Sequence, residues 1–236
     1  MKKVFTLLLL FIASFSFSQD AMFYQKNSVL FHYNPALVGA KSDAAVSMNH
    51  RSQWANIYDI FYTNIQGNYN FKNNIGVGLV YQNESLENFK FSKFLMVNGN
   101  YSKKINQIVL FTGFSAEWIN RKLKDGLIYE DQIDPTIGFP ITKFPASTSQ
   151  PINSVSFDIG FAAQYQNFVL GVSGLHLNEP FQAFFGEAHV ILPIRLVGSA
   201  AYSKAITDDL RFGCQAYYQK QGKSEHLSVL ANGQYK

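Results

Sequence analysis

The sequence has little of what defines several common protein classes. Its 236 residues include one cysteine, Cys214, so no disulfide can form within the chain. Charged residues make up 15%, with no long basic run, and subtracting Lys2 and Lys3 from the formal charge of +4 leaves +2. This balance argues against nucleic acid as a partner. After the first residues, no apolar run approaches the roughly 20 residues that a transmembrane helix needs.

The N-terminus has the composition of a secretory signal peptide. Lys2 and Lys3 form a positive n-region, and Val4–Ile12 is an apolar core. Ser16 and Ser18 supply the small residues of a cleavage site, and no cysteine follows it, so a lipoprotein is excluded. The apolar core is too short to be a retained membrane anchor. We therefore predict that the first eighteen residues are removed on export.

A long β-hairpin is predicted directly after the first loop. Phe61–Phe71 and Ile75–Gln82 alternate with a period of two around the polar turn Lys72-Asn73-Asn74. In both stretches one side is apolar, and the other holds amides or glycine. Tilted strands of about ten residues span a bilayer's hydrocarbon, whereas strands of soluble proteins are usually nearer five or six. The pattern favours a membrane hairpin.

The same alternation recurs and predicts ten strands. Lys93 and Pro193 are the two residues that interrupt it. The predicted strands are about Asp43–Arg51, Phe61–Phe71, Ile75–Gln82, Phe89–Ser102, Gln107–Ile119, Ser154–Gln166, Phe168–Leu177, Ala188–Ser203, Leu210–Tyr218 and Leu227–Tyr235.

Two regularities predict an all-β, antiparallel transmembrane barrel of the outer-membrane type. First, connections after the even-numbered strands two to eight are tight, while those after strands one, three, five and seven are longer, as outer-membrane barrels require. Second, aromatic residues end the apolar faces of the even-numbered strands at matching depth, as an interfacial girdle does. These residues are Phe71, Tyr101, Tyr165, Tyr202 and Tyr235.

The chain divides into three parts on this interpretation. Residues 1–18 are the signal peptide, 19–41 form an ordered N-terminal segment in the periplasm or the lumen, and 42–236 form the barrel. A loop of some 30 residues, Asn120–Asn153, contains four of the prolines and is expected on the outer side. The strand count leaves open both closure at ten strands and a C-terminally truncated form of a larger barrel.

Catalytic and metal-binding patterns are weak. Ser52, His50 and Asp59 resemble a hydrolase triad in composition, but no nucleophile elbow or oxyanion motif accompanies them. We interpret them as polar residues of the barrel rim. The acidic residues of the long loop lack the spacing of a calcium loop, so we expect no metal, no cofactor and no enzyme activity. They are Asp125, Glu130, Asp131 and Asp134.

The N-terminal part resembles the PorP/SprF family of the type IX secretion system. The resemblance rests on Asn34-Pro35-Ala36 with Gly39, followed by Arg51-x-Gln53-Trp54, and on the preceding Gln19-Asp20 and Phe23-Tyr24-Gln25. The rest of the chain matches the family in its strand-and-turn texture. Two departures occur: Ala21 stands where the family has proline, and Val38 where alanine is usual.

The resemblance implies an outer-membrane barrel that carries or anchors secreted proteins, often adhesins of gliding bacteria. The implied partners are a secreted type IX cargo with a C-terminal sorting domain, peptidoglycan-associated periplasmic components and outer-membrane lipid. No catalytic residues come with the family. The rim residues Arg51, Gln53 and Trp54 are either structural or a docking edge for cargo. A passive pore for small solutes is the alternative, because the lumen-facing side chains are polar.

Overall fold

The computed structural model describes residues 29–40, 42–53, 60–71, 73–86, 90–124, 151–182 and 190–235. The predicted signal peptide, Trp54, Asp59 and the four acidic residues of the long loop lie outside these ranges. Within them, no helix is long and apolar enough to cross a membrane.

Ten antiparallel strands follow one another in chain order in one sheet, preceded by two short helical turns. The turns are α1 (Leu30–Tyr33) and a 3₁₀ turn, η1 (Pro35–Leu37). The strands are β1 (Ala44–Gln53), β2 (Ile60–Asn70), β3 (Ile75–Leu86), β4 (Lys90–Ile105), β5 (Ile108–Leu123), β6 (Ile152–Tyr165), β7 (Phe168–Leu175), β8 (Arg195–Ala205), β9 (Leu210–Gln221) and β10 (Ser224–Tyr235).

The predicted fold class, strand number and strand order are confirmed. Each strand pairs with the next, and the sheet curls into a half-barrel. The described residues contain no pairing between β1 and β10. We call the end with the β2–β3, β4–β5, β6–β7 and β8–β9 connections the turn end, and the opposite end the loop end.

Several strand ends differ from the prediction. β3 continues to Leu86 and β4 begins at Lys90, so three residues connect them, and the longer polar loop predicted from Gln82 was wrong. β8 begins at Arg195, later than the predicted Ala188. Pro193 cannot donate to a strand ladder, and Phe181 and Ile191 instead form an isolated bridge. The prediction of a loop failed because a strand with polar residues on both faces shows no alternation between apolar and polar residues.

Alternation separates two faces with different chemistry. Apolar side chains on the outer, convex face are exposed, including an aromatic row at the turn end. Tyr165 pairs with Phe168, and Phe168 pairs with Tyr202, with ring centroids of the latter two 4.7 Å apart. The concave face holds mainly amides, serines and glycines. The apolar residues on that face, among them Val80, Met96 and Tyr217, are buried against another part of the chain.

Candidate functional site

Residues 29–40, which we call the luminal segment, lie on the concave face and supply its apolar packing. Tyr33 packs with residues from β7, β8 and β9, and Phe31 with Val38 packs against β3 and β4. Ala36 and Leu37 pack against β5 and β6. The segment therefore joins strands from both halves of the sheet.

Asn34 fixes the segment through both ends of its side-chain amide. Its Oδ1 accepts a hydrogen bond from the backbone N–H of Ala36 at 2.9 Å, which caps η1. Its Nδ2 donates to the carbonyl of Phe161 on β6 at 3.1 Å and to that of Val172 on β7 at 3.3 Å. Pro35 follows at the first position of the turn, where its missing N–H costs nothing.

Two paired glycines leave room for the backbone of the luminal segment. Gly113 on β5 and Gly160 on β6 are register partners on the concave face. A Cβ on Gly113 would lie 2.3 Å from the backbone nitrogen of Ala36, and one on Gly160 would lie 2.1 Å from Oδ1 of Asn34. Because these contacts involve backbone and a buried amide, a side chain at Gly113 would displace the segment.

Two polar side chains beside these glycines bind the segment's carbonyl groups. Nδ2 of Asn100 on β4 donates to the carbonyls of Ala36 and Val38, both at 2.9 Å. Oγ of Ser173 on β7 donates to the carbonyl of Tyr33 at 2.6 Å. Neither residue was predicted from the sequence. The available signal was the glycines at inward positions of adjacent predicted strands, where glycine weakens a strand unless another backbone approaches closely.

Gly39 ends the segment in a conformation that few other residues adopt. Its φ is +66°, and its carbonyl accepts a hydrogen bond from Nδ2 of Asn70 at 2.8 Å. A Cβ at this position would collide with the Asn70 amide. The structure thus brings together Asn34, Pro35, Ala36 and Gly39, four of the predicted site residues.

The other predicted site residues lie elsewhere. Arg51 and Gln53 are half-buried at the loop end of β1, where Nη2 of Arg51 donates to Oε1 of Gln53 at 2.7 Å. The guanidinium lies 5.9 Å from the centroid of the Tyr62 ring. Tyr62 contacts Arg51, and Asn70 contacts Gly39. These two residues are eight positions apart on β2, roughly 26 Å along the strand. The predicted residues therefore form two separate sites.

The predicted hydrolase-like residues do not form a triad among the described residues. Nδ1 of His50 is 3.0 Å from Oγ1 of Thr63, and the ring stacks on Phe61. A second polar cluster lies inside the sheet, where Nδ1 of His176 is 2.8 Å from Oγ of Ser156. A carboxylate oxygen of Glu117 faces the same nitrogen at 3.9 Å.

The loop-end half of the concave face is also covered by the chain. After β7, Leu192 packs between Phe94 of β4 and Ile119 of β5. Nε2 of Gln182 donates to Oγ of Ser154 at 2.8 Å. The luminal segment and the connection between β7 and β8 therefore both pack on the concave face.

Comparison with known proteins identifies the family. The model for the type IX secretion system membrane protein PorP/SprF matches residues 15–236, nearly the whole chain. No curated protein matches the sequence. The match confirms the resemblance that the N-terminal residues indicated. The chain belongs to the PorP/SprF family of type IX secretion system membrane proteins.

Proposed function

We propose that this protein is a non-enzymatic outer-membrane barrel that binds or anchors a protein exported by the type IX system. The turn end faces the periplasm, and the loop end faces the cell exterior. Family membership supports the secretion role, and the outward apolar face with its aromatic row supports a membrane position. The connections after β1, β5 and β7, which are the longer ones at the loop end, then face the exported partner.

The packing of the luminal segment and of the β7–β8 connection on the concave face is the observation that carries this proposal. A pore for small solutes needs a continuous water-filled path, but Tyr33, Ala36 and Leu192 are buried where that path would run. The luminal segment also has direct hydrogen bonds to β4, β6 and β7. A barrel whose own chain occupies the path for solutes would act through the surfaces that it presents to partners.

The proposed contact for the cargo is the loop end of β1. Arg51 and Gln53 are half-buried there, Ser52 between them is exposed, and Trp54 follows directly in sequence. A guanidinium held by a neighbouring amide presents donors to acceptors on a partner. The turn end, where the luminal segment passes into β1, is the proposed side for peptidoglycan-associated components.

Affinity purification from native outer membranes tests the proposal. The tagged wild-type protein, extracted in mild detergent, should bring down a large secreted protein with a C-terminal sorting domain. The double variant Arg51→Ala with Gln53→Ala should lose that protein while the barrel itself is recovered in equal amount. A matched control is Lys220→Ala with Glu225→Ala, which removes an exposed loop-end ion pair on β9 and β10.

The outcomes separate the alternatives. Recovery of the wild-type barrel without any exported protein would contradict anchoring. Conductance of the wild-type protein in planar bilayers would then favour the pore. If the variant with Arg51→Ala and Gln53→Ala retains the cargo, the anchoring role stands, but Arg51 and Gln53 are not the cargo contact.

A further inference from the structure

A row of polar side chains crosses the outer face of six consecutive strands near the loop end. Each residue is the register partner of the next, so the six form one continuous row across the strands. Six strands spaced about 4.8 Å apart make this row roughly 24 Å wide. We call it the polar collar; its members are His50, Thr63, Asn83, Lys93, Asn120 and Asn153.

Around Lys93, the collar borders the apolar band. The next row towards the turn end contains Tyr81, Leu95 and Trp118, all exposed and apolar or aromatic. On β4, the outward residues between Lys93 and Lys103 are uncharged, and these lysines are ten positions apart (93 to 103). That is roughly 33 Å along a strand, or about 25 Å across a membrane at the usual tilt, the height of a barrel's apolar band. Lys93 therefore lies at headgroup level.

The collar combines positive charge with hydrogen-bonding groups. Lys93 is exposed, and its register neighbours Asn83 and Asn120 carry amides on either side. Nδ2 of Asn120 donates to Oδ1 of Asn153 at 2.8 Å, so this part of the collar is ordered. Among the described outward-facing residues of β1 to β6, none is Asp or Glu. The charged groups that this surface presents to lipid are lysines.

We propose that the polar collar binds the phosphate groups of anionic lipid headgroups, with Lys93 as the charged contact. A lysine near an anionic lipid surface contributes about 1 kcal/mol, and the flanking amides can donate to phosphate or glycerol oxygens. This goes beyond the anchoring role, because it concerns the lipid that surrounds the barrel and requires no cargo.

Quenching of Trp118 by brominated lipids measures this preference. Trp118 is exposed on β5, two positions from Asn120 and diagonal to Lys93, roughly 7 Å away across the strands. The chain has two tryptophans, so Trp54→Phe leaves Trp118 as the single emitter. The protein is reconstituted in phosphatidylcholine vesicles with a fixed fraction of brominated phosphatidylglycerol or brominated phosphatidylcholine.

We expect the relative association constant to be about five-fold higher for phosphatidylglycerol, equivalent to the 1 kcal/mol of one lysine, and to fall at high salt. Lys93→Gln should reduce the preference, with Lys122 of β5 as the remaining outward lysine at this end, and Lys93→Arg should keep it. Lys103→Gln, which removes the matching outward lysine at the turn end, is the control and should keep it. Equal quenching by both lipids in the parent protein, or an unchanged preference in Lys93→Gln, would overturn the proposal. Heat-modifiable migration of each variant confirms that it is folded.

Discussion

The two groups of residues that define the family resemblance differ in their physical environment. Asn34 and Ala36 are buried, and the luminal segment is bonded to three strands. Arg51 and Gln53 are half-buried at the end of β1, which has a described partner strand on one side, and a single side-chain hydrogen bond joins them. Asn34 and Ala36 are therefore bound within the protein, whereas Arg51 and Gln53 are accessible to a partner.

This difference assigns separate tasks to the two groups. A buried side chain that donates to backbone carbonyl groups of distant strands stabilises the fold, and its loss leaves buried polar groups unpaired. Half-buried side chains at a rim contribute little to stability, but they are accessible to a second molecule. The predictions below test this division, beginning with the change that should disturb the lumen most.

Gly113→Val should displace the luminal segment. Its Cβ would lie 2.3 Å from the backbone of Ala36, so the segment or the strand has to move. Chymotrypsin should then cleave after Phe31 and Tyr33, which are buried in the wild-type protein. Gly99→Val is the control, because a Cβ at Gly99 on the outer face of β4 meets nothing within 4 Å. Equal resistance of the two variants would show that the glycine does not position the segment.

Asn34→Asp should destabilise the protein more than Asn34→Ala. Both changes lose the two donor bonds to the carbonyls of Phe161 and Val172, at about 1–3 kcal/mol in total. Aspartate keeps an acceptor for the Ala36 N–H but places a carboxylate against those carbonyls, where its burial adds a further penalty. Urea unfolding in detergent micelles, followed by tryptophan fluorescence, measures the loss of stability in each of the two variants. The reverse order would mean that the retained cap on η1 outweighs the penalty of burying the carboxylate.

The fold was predictable because its two faces differ so strongly in polarity. An apolar outer face and an inner face of amides, serines and glycines produce alternation over ten or more residues, and register follows from tight turns. Asn74, Asn106 and Gln166 adopt positive φ in three of these turns, a conformation that asparagine tolerates well. The prediction failed from Asn83 to Leu86, beyond the apolar band, where neither face is apolar.

The site was only partly predictable, since its receptor residues come from distant strands. Asn34, Pro35, Ala36 and Gly39 stand out as a compact motif, but their partners do not. Asn100 is 64 positions from Ala36, and Ser173 is 140 from Tyr33. Such pairs are identified once the register of β4 to β7 is known, because Asn100, Gly113, Gly160 and Ser173 then fall in one row.

Ser173→Ala should have a smaller effect than either change at Asn34. It removes one donor, leaving the Tyr33 carbonyl without that bond at a cost of about 1 kcal/mol. Val172 and its neighbours stay in place, so the segment should remain protected from chymotrypsin. The same urea titration measures the loss. A loss as large as that of Asn34→Asp would mean that Ser173 also orders β7 itself.

Arg51→Ala combined with Gln53→Ala should change stability least and cargo binding most. One hydrogen bond joins the two half-buried side chains, and the guanidinium contacts the Tyr62 ring of β2, so the expected loss is below about 1 kcal/mol. A luminal variant such as Asn34→Ala should show the opposite balance: reduced stability, with cargo recovered in proportion to folded protein. The urea midpoint reports the stability of each variant, and cargo recovery reports its binding, so the two effects are measured separately. If the rim variant loses stability and cargo together, the rim acts through the fold, and the division between the two groups fails.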